Sequence, residues 1–173
     1  VHKWVVVFLA VVVTSCATPY RDVDASQPYS TLSFARGYTT GTGFGAGTNQ
    51  EYSLARAGAC ENITRAAMFN YLTGAANDRR VAAGEPVHLF ANTAYSASSG
   101  AGGYVTTTIQ WCVASATFTP EAGRTYRVIQ RELALAACRL EIVDAATGTP
   151  PADLSITEGS GCLPSGEPVG RDR

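Results

Sequence analysis

Short segments of alternating apolar and polar residues, cut apart by glycine and proline, constrain this 173-residue chain more than any other feature. Successive side chains of an extended strand point to opposite faces, so a period of two marks strands with one face buried. Residues 31–35 place Leu32 and Phe34 on one face, and residues 105–113 group Val105, Ile109, Trp111 and Val113 on one side. Residues 86–91 follow the turn pair Gly84-Glu85 and read as a strand. In residues 139–144, Leu140 and Ile142 lie opposite Arg139 and Glu141, with Cys138 in phase with the apolar pair and expected to face inward. Residues 145–150 carry turn chemistry, and residues 152–156 supply a further strand. Residues 63–72 and the alanine-rich 132–140 fit a helix nearly as well as a strand, and the surrounding strands tilt both toward β. The Gly- and Thr-rich residues 37–49 and the Ser- and Gly-rich residues 98–103 read as loops.

Residues 118–128 suggest the architecture. A strand ends at Phe118, Pro120 sets φ for a turn, Gly123 can take positive φ, and a new strand starts near Tyr126. This corner is similar to that of immunoglobulin-like and fibronectin-type sandwiches, where a tyrosine just after the turn hydrogen-bonds backwards. Residues 143–150 likewise resemble hairpins of exported sandwich and transthyretin-like domains. The resemblance implies a mainly β fold: an antiparallel β-sandwich, immunoglobulin-like or transthyretin-like, over residues 31–162.

The chain opens with a charged segment holding Lys3, followed by an apolar run of residues 4–13. A membrane-spanning helix needs about 20 apolar residues, so this run has the length of a secretory signal's core. It ends in Val13-Thr14-Ser15-Cys16, which resembles the lipobox of bacterial lipoproteins: an aliphatic residue, two small ones and a cysteine. The whole pattern resembles small bacterial envelope lipoproteins. That resemblance implies cleavage after residue 15, acyl chains on Cys16, residues 16–30 as a polar tether and residues 163–173 as a flexible tail. It also implies a place in the envelope, at the outer membrane facing the periplasm, because Ala17 stands where an Asp would retain a lipoprotein at the inner membrane.

Charge and cysteines narrow the role. Lys3 is the lone lysine, so the mature chain carries 12 Arg against 14 acidic residues, with no basic patch for nucleic acid. Besides Cys16 there are Cys60, Cys112, Cys138 and Cys162, an even number that in an exported chain points to two disulfides. The local return of residues 152–162 toward Cys138 favours Cys138–Cys162, leaving Cys60–Cys112. With His88 as the single mature histidine and no C-x-x-C, no zinc set is expected.

Other motifs have bland explanations. Residues 41–46, Gly-Thr-Gly-Phe-Gly-Ala, fit a dinucleotide-binding pattern but lack a following apolar helix, so they read as a loop with no cofactor. His88 is expected mid-strand, away from Val87 and Leu89; a hydrolase built on it would need a hydroxyl and a carboxylate within reach. Glu132, Glu141, Asp144, Asp153 and Glu158 are scattered, and no pair is selected for glycoside hydrolysis. Asn62-Ile63-Thr64 matches a glycosylation sequon incidentally. The expectation is therefore a non-enzymatic, lipid-anchored protein with a structural or interaction role toward an envelope protein or cell-wall component. The alternative is a glycan- or peptide-binding module using the Gly-rich loops and the aromatics Phe44, Tyr95 and Tyr104.

Overall fold

The computed structural model describes residues 18–38, 47–55, 62–70, 73–74, 76–101, 104–134, 137–159, 161–162 and 168–169. Within these residues the fold is mainly β, with no helix, and its strands form two mostly antiparallel main sheets. One sheet holds β1 (Tyr29–Ala35), β4 (Ala76–Ala82), β7 (Thr125–Ala134) and β8 (Ala137–Asp144) in the order β4-β1-β7-β8. The other holds β2 (Gly47–Ala55), β3 (Thr64–Phe69), β5 (Val87–Ala101), β6 (Tyr104–Phe118) and β9 (Ser155–Glu158) in the order β3-β2-β5-β6-β9. A short ribbon pairs β10 (Gly161–Cys162) with β11 (Pro168–Val169), the latter in the stretch expected as a tail. The pair β1–β7 is parallel, and the other named pairs are antiparallel.

Alternation decides what is buried. In β1 the pattern is strict, with Leu32 and Phe34 fully buried. Leu140 and Ile142 of β8, Val128 of β7 and Val81 of β4 join them from the same sheet. Tyr52, Leu54, Phe69, Leu89 and Phe118 meet them from the other, and the Phe34–Tyr52 and Phe118–Tyr126 ring contacts cross between the sheets. Ala91, Ala114 and Ala116 occupy the inner face of β5 and β6, and these small side chains leave room for the rings. Residues 64–69 and 125–134 are strands, as the surrounding pattern favours.

Turns follow the chemistry anticipated for them. Gly84, Gly123 and Gly148 all have positive φ, a backbone state that costs other residues strain. At the corner, the Tyr126 hydroxyl accepts a hydrogen bond from the Glu121 N–H at 3.1 Å, so the tyrosine does reach backwards. Asp144 closes the 144–149 turn: its Oδ1 accepts from the Ala146 and Thr147 N–H groups, and Arg124 lies 3.1 Å from its Oδ2.

Several expectations need correction. Residues 98–101 are strand rather than loop: β5 and β6 stay paired out to Ala101 and Tyr104, forming a long ribbon. Residues 47–49 belong to β2 rather than to a loop. Trp111 and Val113 share a face as expected, and that face is the outer one; Cys112, Ala114, Ala116 and Phe118 face the core. The disulfide pairing also differs, for Cys112 bonds Cys138, with Cα atoms 6.0 Å apart, linking β6 to β8. Both expected pairs, Cys60–Cys112 and Cys138–Cys162, are thereby excluded. The reason is facial: Cys138 points between the sheets, whereas Cys162 packs with Ala55 and Phe90 on the far side of the five-stranded sheet. Cys162 is itself disulfide-bonded.

Residues 18–23, within the stretch expected as a tether, lie along the edge strands. Thr18 and Tyr20 exchange backbone hydrogen bonds with Arg65 of β3, and the Val23 N–H donates to Arg80 of β4. Covering exposed strand edges in this way blocks edge-to-edge association. No helix among the described residues is long and apolar enough to cross a membrane.

Candidate functional site

Between the sheets lies a polar cluster that sequence patterning does not single out. Gln50, Thr93 and Gln130 are essentially inaccessible to solvent. The Gln50 Oε1 accepts from the Gly37 N–H at 3.0 Å, and its Nε2 donates to Thr93 Oγ1 at 3.0 Å and to the Gln130 carbonyl at 2.7 Å. Thr93 donates to Gln130 Oε1 at 2.6 Å, while Gln130 Nε2 reaches the carbonyls of Ala91 and Cys112 at 3.3 Å each. The Tyr52 hydroxyl accepts from the Gln130 N–H and donates to the Ala35 carbonyl; burial pushes its phenol well above the ordinary value. A Cβ on Gly37 would collide with the Gln130 carbonyl, so this close approach requires glycine. Every amide atom of both glutamines is matched, and the cluster ties β2 and β5 of one sheet to β7 of the other.

The outer face of the five-stranded sheet behaves differently. Asn49 and Glu51 of β2, Met68 of β3, Asn92 and Ala94 of β5 and Trp111 of β6 line a hollow of about 350 Å³. Register explains the grouping, because Glu51 lies opposite both Met68 and Asn92, and Ala94 lies opposite both Asn49 and Trp111. Trp111 is 48% exposed and Met68 36%, the two large apolar side chains left open here. Asn92 is 5% exposed, yet its Oδ1 is buried with no hydrogen-bond partner. An unmatched buried acceptor costs about 1–3 kcal/mol, so its retention calls for an explanation. Beside it, the Glu51 carboxylate is held by Arg65 Nε at 3.1 Å and receives the Ser53 hydroxyl at 3.3 Å.

The sequence-derived candidates distribute as follows. His88 is on the outer face of β5, as alternation implies, with Nδ1 3.1 Å from Thr117 Oγ1 of β6. No carboxylate hydrogen-bonds to it among the described residues, so the orienting group of a triad is not assembled there. The carboxylates serve their own surroundings: Glu141 pairs with Arg131, Asp144 caps its turn, and Asp153 accepts the Thr119 N–H. No group of three potential metal ligands occurs among the described residues. Cys16, Cys60, Phe44 and the 41–46 glycine motif lie outside the described residues, and of Tyr104 only the backbone is described. Which face Trp111 takes follows from Cys112, whose inward bond turns its neighbour outward. Comparison with known protein families, with characterised proteins and with solved structures found no match.

Proposed function

We propose that this protein is a non-catalytic envelope lipoprotein that recognises a ligand through the outer face of its five-stranded sheet. Export on residues 1–15 and acylation of Cys16 would hold it at the outer membrane, facing the periplasm. Support for the anchor is the order Lys3, apolar run, then Val13-Thr14-Ser15-Cys16. The domain reads as a sandwich of immunoglobulin-like or transthyretin-like type, supported by the two facing sheets and the backward-reaching Tyr126. Its strand order is its own, since β1 lies inside its sheet between β4 and β7, where the first immunoglobulin strand sits at an edge.

The observation that carries the recognition reading is the Asn92 Oδ1: a buried acceptor without a partner, in the wall of a hollow flanked by exposed Trp111 and Met68. Stability alone does not favour such a group, whereas a ligand's donor would satisfy it. The partner would be an envelope protein or a cell-wall component. A photo-crosslinking residue placed at Ala94, inside the hollow, is expected to capture a partner in cells. The same residue at the exposed Arg127, on the other sheet, is expected to capture none. Equal capture at both positions, or none at Ala94, would sink the reading. Cys16→Ala is expected to release the chain from membranes and remove the mass of the acyl chains.

A further inference from the structure

We propose that the hollow beside Trp111 binds a neutral saccharide, with a pyranose ring against the indole and a ring hydroxyl donating to Asn92 Oδ1. This rests on the recognition reading above and names its ligand class. Three properties of the hollow select that chemistry. Its exposed walls are mostly apolar, from Trp111, Met68 and Ala94, and require a ligand with a C–H face. Its buried unmatched polar atom is an acceptor, so the ligand must bring a donor to it. Its charges already cancel, because the Glu51 carboxylate is paired with the Arg65 guanidinium, so neither an anion nor a cation is called for. A sugar ring combines an apolar C–H face with hydroxyl donors and no charge. The volume of about 350 Å³ lies at the lower end for ligand sites and suits one or two rings.

A peptide bound as an added strand fits less well. Such binding uses free main-chain groups at a sheet edge. Here the lining strands are already paired with one another through the patch, Glu51 with Met68 and Asn92, Ala94 with Trp111. Side chains alone are on offer.

The test is titration of the full chain in detergent micelles with maltotriose, cellotriose and triacetylchitotriose, with trigalacturonate and trialanine as charged and peptide arms. At least one neutral trisaccharide is expected to bind saturably. Trp111→Ala is expected to abolish that binding and Trp111→Phe to restore part of it. Asn92→Leu should weaken binding about tenfold, the loss of one well-placed hydrogen bond. The same Asn92→Leu protein should melt at the same temperature as the parent or higher, an outcome that a structural role for Asn92 would not produce. Absence of binding by all three neutral sugars at about 10 mM overturns the proposal, since any useful affinity would be seen there. Undiminished binding by Trp111→Ala, or tighter binding of trigalacturonate or trialanine, overturns it equally. If Ala94 still cross-links a partner while all three sugars fail, the recognition reading stands and the sugar assignment falls.

Discussion

Two consecutive cross-strand pairs on β2 and β5 meet opposite fates. Gln50 lies opposite Thr93, and Glu51 lies opposite Asn92 in the next register. The first pair faces the other sheet and the second faces outward. Inside, donors and acceptors match one for one through Gln130, and outside, Asn92 keeps an acceptor with nothing to accept. All four residues are polar and occupy the same two strands, so composition does not separate them; the difference is whether the opposing surface supplies partners. A buried polar group that is fully matched ties its neighbours together, while one left unmatched is a cost retained for some other purpose.

This contrast can be broken or sharpened by experiment. The largest effect is expected from Cys112→Ala/Cys138→Ala, which opens a loop of sequence separation 26 beside the inner cluster. The chain-entropy model gives a loss of about 3–4 kcal/mol, read as a lower denaturation midpoint. Non-reducing peptide mapping should recover Cys112–Cys138 together with Cys60–Cys162, because Ala55 and Ile63, which flank the segment bearing Cys60, both pack in the cluster of Cys162. Gln130→Leu should cost about 2–3 kcal/mol by stranding the Thr93 hydroxyl and the Ala91 and Cys112 carbonyls. A cost below about 0.5 kcal/mol, the range of ordinary surface changes, would mean the inner cluster does not tie the sheets together.

Asn92→Leu should move the other way, stabilising the fold by up to about 1 kcal/mol through removal of a buried unmatched acceptor. A loss as large as that of Gln130→Leu would abolish the distinction between the two faces. The smallest effect belongs to Asp144, remote from both clusters. The Ala146 and Thr147 N–H groups, with Arg124, hold its carboxyl below the ordinary value of 3.8. Its contribution is therefore complete above the ordinary carboxylate range and is lost as pH falls through the folded value. Acid titration of Asp144→Asn should show a flatter stability curve below about pH 4 than the parent does.

Much of the fold is legible in the residues because strand alternation is a local property. Leu32 and Phe34, Leu140 and Ile142, and the glycines at 84, 123 and 148 need only their neighbours to be placed. The phase of β6 is not local. Both of its faces carry apolar residues, Trp111 and Val113 on one and Ala114, Ala116 and Phe118 on the other, so period alone leaves the inner face undecided. The disulfide pairing depends on which strands oppose one another across the sheets, a matter of topology that spacing along the chain does not encode. The candidate site was illegible for the same reason. Asn92 looks like any polar residue in a strand until registers with β2 and β6 bring Glu51, Met68 and Trp111 around it.

The parallel pairing of β1 with β7 has a consequence for how the chain reaches this state. Leu32 sits beside Tyr126, 94 residues later, so one flank of β1 waits for a segment made long after it. Closing a contact of such separation is slow, because chain entropy must be surrendered before the contact returns anything. The hairpins β5–β6 and β7–β8 can form early, while β1 and β4 gain a complete sheet only when β7 arrives. Truncations ending before residue 125 should therefore yield no cooperative unfolding transition, and assembly of the domain completes only after residues 125–129 have emerged from the machinery that delivers them.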